Sequence, residues 1–355
     1  MKRQIVGLAL LAVMGLGVTG SAKEAQQAQQ AQKNQSASQA PRALKANPEE
    51  ELLEKAKKEG LLTWYTSMPL PDAQAIAESF TKKCGIKVEI WRAQWDSLRQ
   101  KVMAAYRAGK YEVDAIEGPD IMMEALKRDK ILQAYSPPAN SAYPDQLKNS
   151  EYSSYRLQFF TAGYNTQLLK PQDAPKSYED LLDPRFKGKI TFEDKTIEWV
   201  AGMYQYLGEE KAKVFFEKLK QQRPSARHGQ SNAVEMMSAG EIPLFIDVYN
   251  YLVEQKKKDG APVDWIPLEP VMAKTNALAV ADKSAHPNAA KLFVNYVLSV
   301  EGQGFSSSRN MIPAHPQVEA NPPSLSRGFK FLKVDSVKVL DESNKWQAIL
   351  DGLIK

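Results

Sequence analysis

Between residues 61 and 129 the chain alternates short β-branched or aromatic apolar runs with longer stretches of helical spacing. "LLTWYT" (61–66) precedes "DAQAIAESFTKK" (72–83), and "IKVEIW" (86–91) precedes "DSLRQKVMAAYRAG" (96–109). "YEVDAIE" (111–117) precedes "DIMMEALKRD" (120–129). Consecutive strands separated by helices of this length cannot pair as tight hairpins. They form crossover units, so the chain must build an α/β layer on a mainly parallel sheet.

The flanking segments extend this plan. "NPEEELLEKAKKEG" (47–60) reads as an opening helix with Pro48 in its first turn, lysines in its last turn and Gly60 as its stop. The proline-rich "YSPPANSAYPDQ" (135–146) marks a lobe boundary or a surface loop. A second alternating set follows. It has strands at 155–165, 242–249 and 276–282, a capped short helix and strand over 176–190, and helices at 196–208, 209–222, 231–240, 286–299 and 301–309. A last amphipathic helix covers 337–354. A chain of 355 residues with 43% hydrophobic side chains suits two domains with sizeable cores. Two such sheets facing each other leave a cleft at the carboxyl ends of their strands, and hinge closure around a small molecule is a standard motion there.

Charge and cysteine usage narrow the class. Lys2 and Arg3 supply two of the five formal positive charges, and the others are interspersed with acids. No basic stripe is interleaved with aromatics, so the chain carries no nucleic-acid footprint. "MKR", the 14-residue apolar run 5–18 and the small residues Gly20, Ser21 and Ala22 predict a signal peptide cleaved after Ala22, because the run is short for a bilayer span. No cysteine follows that run, so a lipoprotein anchor has no acceptor, and no stable membrane insertion is expected after cleavage. "GLGVTG" in the same run lacks the strand–turn–helix context of a dinucleotide site. Residues 23–47, with seven glutamines, predict a flexible tether. The lone Cys84 can form no internal disulfide, and a buried small hydrophobe is its expected role.

One long stretch is informative beyond its pattern. "YNTQLLKPQDAPKSYEDLLDPRFKGKI" (164–190) resembles a segment of the periplasmic solute-binding proteins of ABC importers, and "AVEMMSAGEI" (233–242) and "HPNAAKLFVNYVLSVEGQ" (286–303) agree in order. The resemblance covers about residues 58–318 and is strongest to the branch that includes ferric-iron-binding proteins. It implies a two-lobed, type II, cherry-core periplasmic-binding-protein fold with the ligand between the lobes. One lobe would take 48–150 plus 273–355 and the other 155–268, with crossovers near 151–154 and 269–272. It also implies a periplasmic, monomeric receptor without cofactor or catalysis, which delivers a small solute to a membrane permease and its cytoplasmic ATPase.

Strand ends name the candidate ligand residues. In the first lobe they are Thr66, Ser67, Met68, Arg92, Trp95, Glu117 and Asp120. In the second they are Asp194, Lys195, Thr196, Asp247, Tyr249 and Tyr251. Each can also be read as a turn, cap or surface group; Asp120, Thr66 and Ser67 are placed to cap helices. Glu198 in a first helical turn would compete with an anion at Thr196 and Lys195. A second helix start, "RHGQSNAVE" (227–235), could hold an oxyanion or carboxylate. Ferric sites in the resembling branch use two adjacent tyrosines, a first-lobe histidine and an acid. Here Asn250 separates Tyr249 from Tyr251, and no histidine precedes His228. Tyr251 is the position that matches, and two residues two apart on a strand would share a face. A small organic ligand, an organic anion or a similar polar solute, stacked on Trp95 or a tyrosine and clamped by Arg92 and Lys195, fits this set, and ferric iron is the alternative. A third reading is an exported hydrolase with Ser231 as nucleophile, from the elbow-like "HGQSNA".

Overall fold

A computed structural model describes residues 47–354. The predicted signal peptide and nearly all of the predicted tether lie outside the described residues. The chain runs α1 (Pro48–Glu59), β1 (Leu61–Thr66), α2 (Leu70–Cys84), β2 (Lys87–Arg92), α3 (Trp95–Arg107), β3 (Ala115–Pro119), α4 (Asp120–Arg128) and β4 (Tyr152–Asn165). It continues through β5 (Ile190–Glu193), α5 (Ile197–Leu207), α6 (Glu209–Gln221), β6 (Ser225–Arg227), α7 (Gln230–Ser238), β7 (Leu244–Tyr249), α8 (Asn250–Lys258), β8 (Val263–Ile266) and β9 (Val271–Val280). It ends with α9 (Pro287–Leu298), α10 (Val300–Ser308), β10 (Ile312–Pro313), β11 (Phe331–Lys333), α11 (Ser336–Asp341) and α12 (Ser343–Gly352).

The three predicted strand–helix units form as expected, with β1 parallel to both β2 and β3. Hydrogen bonding then connects the strands in the order β2-β1-β3-β9-β4-β7-β5-β6. Side chains alternate across the first half of the sheet. Leu62 and Trp64 join a core on one face with Phe80 and Phe293, and Tyr65 and Ile116 join a core on the other with Leu98 and Met122. The second half repeats this, with Leu244 and Ile246 on the face of Trp199 and Phe216, and Phe245 and Val248 on the opposite face with Met237. Helices on both faces explain why these strands read as nearly continuous apolar runs.

Two long strands carry the chain between the halves. Residues 152–160 of β4 pair with β9, and residues 160–164 pair with β7. All 14 residues of β4 are buried, so any polar side chain on it needs a partner or a purpose. The expected crossover points near 151–154 and 269–272 fall at the first residues of β4 and β9.

The C-terminal segment departs from expectation. The expected first lobe includes it, yet Trp346 packs 5.2 Å from Tyr204 of α5, and Leu350 and Leu353 join the core around Trp199 and Phe216. The apolar stripe of α12 is complementary to α5 and α6. Contacts from this segment also reach back: Lys333 Nζ lies 3.4 Å from Asp120 at the start of α4, and Asp341 pairs with Arg128 at its end.

Candidate functional site

A cavity of about 370 Å³ opens where the strands of both halves end and their helices begin. Its walls include Pro69 ahead of α2, Gln94 and Trp95 at the start of α3, and Pro119 ahead of α4. From the other half come Gly229, Gln230, Ser231 and Asn232 at the start of α7, and Tyr249, Tyr251 and Leu252 at the β7–α8 junction. Five helix N-termini therefore converge on one space. Their first-turn N–H groups have no intrahelical acceptors, and their dipoles favour negative charge.

Several expected residues line this cavity: Ser67, Arg92, Trp95, Tyr249 and Tyr251. The tyrosines meet differently from the expectation of a shared strand face. Tyr249 is the last strand residue and Tyr251 lies in the first turn of α8. Their rings stack at 6.0 Å with an interplanar angle of 11°. Gln230 fixes this junction to α7. Its Nε2 donates to the Asp247 carbonyl at 2.9 Å, and its Oε1 accepts from the Tyr249 N–H at 3.3 Å.

The expected acids do not line the cavity. Glu117 is fully buried and saturated: its Oε2 accepts from Thr66 Oγ1 at 2.6 Å, Ser67 N at 3.0 Å and Met68 N at 3.2 Å. Its Oε1 accepts from Tyr155 Oη at 2.9 Å and Asn276 Nδ2 at 2.8 Å. Glu117 and Thr66 thus shape the Ser67–Met68 turn from beneath. Asp120 is buried, accepts from Thr275 Oγ1 at 3.0 Å, and burial pushes its carboxyl above the usual range. Asp247 is also buried; its carboxylate accepts from the Glu193 N–H at 3.0 Å, and burial pushes its carboxyl well up. Thr196 donates to Glu193 Oε2 at 2.8 Å, and Lys195 is exposed outside the cavity. These are corrections. A strand-end position does not say whether a side chain faces the ligand space or braces the turn behind it.

The flagged helix start at 227–235 does reach the cavity, through residues 229–232. Gly229 adopts φ 85°, which a side chain would disfavour, and its N–H is taken by Glu193 Oε1 at 3.1 Å. Arg227 and His228 turn elsewhere. His228 Nδ1 pairs with Asp194 at 2.9 Å, and with Glu193 the three could hold a cation on the exposed side.

The floor of the cavity escaped prediction. Arg156 and Gln158 of β4 and Lys274 and Asn276 of β9 all line it. Register explains the cluster, because Arg156 lies opposite Asn276 and Gln158 opposite Lys274. Polar residues at i and i+2 in "YRLQFF" and "AKTNALAV" were the available signal. Arg156 is 7% exposed and its Nε is buried without a hydrogen-bond acceptor among the described residues; the Glu117 and Asp72 carboxylates act on it only beyond ion-pair distance. Lys274 is different. Burial works against its charge, yet Glu198 at 3.1 Å and the Tyr249 hydroxyl hold its pKa above the ordinary lysine value. Among the described residues no carboxylate and no histidine lines the cavity, whereas Arg92, Arg156 and Lys274 do. This balance suits an anion.

Comparison with known proteins agrees with this architecture. The chain is 24% identical over 263 residues to a putative 2-aminoethylphosphonate-binding periplasmic protein of Salmonella paratyphi A, covering 69% of this chain and 76% of that one. It is also 24% identical over 276 residues to the major ferric iron-binding protein of Neisseria meningitidis serogroup B, covering 72% and 82%. Its fold matches the crystal structure of iron-bound HitA from Pseudomonas aeruginosa with a TM-score of 0.72 at 21% identity, covering 82% of this chain and 99% of that one. The two-lobed periplasmic-binding-protein fold is therefore established. No helix among the described residues is long and apolar enough to cross a membrane. The profile of the bacterial extracellular solute-binding proteins matches residues 118–339, most of the chain, and the protein belongs to that family.

Proposed function

We propose that this protein is the periplasmic solute receptor of an ABC importer and that its cargo is a small organic anion. The observation that carries the reading is Arg156, a nearly fully buried cation with no hydrogen-bond acceptor among the described residues, on the floor of a cavity that no carboxylate among them lines. A buried charge without a partner costs several kcal/mol, roughly, unless a ligand supplies one. The first-turn amides of α7 and the free end of Arg92 complete an anion site. Trp95 and the stacked tyrosines suit an organic body. A phosphonate, as in the name of the Salmonella relative, has this chemistry.

In this reading the lobes are 48–150 with part of the C-terminal region, and 155–268. They close about β4 and β9, and a ligand stabilises the closed form only by touching both. The receptor acts as a monomer, is exported by the predicted signal peptide with cleavage after Ala22, and passes its cargo to a permease driven by a cytoplasmic ATPase. It performs no catalysis. Ser231 lines the cavity, but His228, its nearest histidine in sequence, is engaged with Asp194. The test is a melting shift with 2-aminoethylphosphonate or phenylphosphonate that survives Ser231→Ala. Turnover of an ester that disappears in that variant would support the hydrolase instead.

Ferric iron as cargo is the second reading, favoured by the stacked Tyr249 and Tyr251 and by the Neisseria relative. Phenolate oxygens suit this hard cation. Three lining cations oppose it unless anions accompany the metal. A red phenolate absorption on adding ferric citrate, lost in Tyr251→Phe, would establish it.

A further inference from the structure

We propose that Glu198 sets the charge of the anion the cleft accepts, by compensating Lys274 so that two of the three lining cations remain open. The ligand class is then a doubly charged organic anion; this rests on the anion reading above. Lys274 lines the cavity from β9, and its Nζ lies 3.1 Å from Glu198 Oε1 in the first turn of α5. Both side chains are largely buried, 13% and 12% exposed, so the pair is shielded from water and from salt. Glu198 itself does not line the cavity. It therefore makes no contact with the ligand, and in the native protein its charge is matched to the lysine it holds. The Tyr249 ring, 5.3 Å from Lys274 Nζ, fixes the ammonium in place. By contrast, neither Arg92 nor Arg156 has a carboxylate within ion-pair distance among the described residues; Glu117 and Asp72 act on Arg156 only at longer range, and Arg92 spends its Nε on the Met68 carbonyl at 3.2 Å.

Strand register places this pair beside the anion's seat. Lys274 lies opposite Gln158, and Arg156 lies opposite Asn276, so Lys274 and Arg156 are diagonal neighbours across β4 and β9. Diagonal neighbours stand about 7–8 Å apart. A uniform cluster of three open cations would favour more highly charged ligands and leave a dianion with an uncompensated lysine. Glu198 removes that third charge without occupying ligand space. At an effective dielectric of about 40, one uncompensated charge at about 7 Å changes affinity roughly sevenfold for each charge on the ligand. A dianion is affected twice as strongly, on a logarithmic scale, as a monoanion.

The experiment compares phenylphosphonate, at a pH where it is fully ionised, with the similarly shaped monoanion benzenesulfonate. Both are titrated calorimetrically at low ionic strength into the full-length protein. The native protein prefers the phosphonate. Glu198→Gln raises the phosphonate-to-sulfonate affinity ratio by roughly sevenfold. Lys274→Gln lowers that ratio, because it leaves the Glu198 carboxylate uncompensated behind the cavity wall, where its field still reaches the ligand. The double variant returns the ratio towards the native value, which a merely structural role for either residue would not do. An unchanged ratio in the single variants overturns the proposal while leaving the anion reading intact. Native protein that binds neither probe overturns both. Should Glu198→Gln fail to fold, the ratio in Lys274→Gln decides: a fall supports the proposal and no change refutes it.

Discussion

Replacing Arg156 by methionine separates binding from stability, because the two should move in opposite directions. Arg156 sits 7% exposed on β4, and its Nε is closed off from water without an acceptor among the described residues. In the ligand-free protein this is a cost. An unsatisfied buried donor is worth about 1–3 kcal/mol against the fold. Methionine fills similar space and carries no charge. The free variant should therefore melt higher, by about 2–4 °C for each kcal/mol recovered. With ligand the sign reverses. A charge-assisted contact to an anion contributes about 1.5–3 kcal/mol, so affinity for phenylphosphonate should fall roughly 10- to 150-fold. Scanning fluorimetry with and without the probe reads the first effect, and calorimetry reads the second. A variant that melts lower yet keeps native affinity would refute the reasoning and make Arg156 a structural residue.

Two further outcomes follow from the same geometry. Glu117→Gln turns an NH2 group towards donors that now converge on a carboxylate, among them Thr66 Oγ1, Ser67 N and Tyr155 Oη. The variant should lose about 3–5 kcal/mol, seen as a clear drop in melting temperature, and a shift within a degree or so would contradict the network. His228 titrates above its ordinary value of 6.5, because Asp194 hydrogen-bonds and attracts its charged form. Its folded pKa exceeds its unfolded one, so its contribution is complete below pH 6.5 and is lost as pH rises through the folded value. His228→Gln should flatten that part of the stability–pH curve, and an unaltered curve would show that the pair is inconsequential.

The fold was largely legible in the sequence, and the site only in part. The alternation over 61–129 could satisfy its apolar faces in only one way, so β1 to β3 and their helices were readable. The rule that ligands sit beyond strand ends pointed to Ser67, Arg92, Trp95 and the tyrosines, and these line the cavity. It misjudged Thr66, Glu117, Asp120 and Asp247, because sequence position does not distinguish a side chain facing the cleft from one bracing the turn beneath it. It also misread Glu198 as a competitor for the anion, when its partner, Lys274, is brought to it by β9 from 76 residues away. Arg156 and Lys274 were missed for one reason: they lie mid-strand, and their pairing depends on the register of β4 against β9. The C-terminal helices showed their periodicity but not the surface it fits, which α5 and α6 supply.

In the function proposed above, the cleft holds an organic anion against Arg156 rather than a metal against the tyrosines. Native mass spectrometry of protein isolated from its own periplasm, with metal analysis of the same sample, addresses it most directly. The expected result is a metal-free organic adduct that is lost in Arg156→Met and retained in Tyr251→Phe. A ferric adduct with a red absorption, retained in Arg156→Met and lost in Tyr251→Phe, would contradict it.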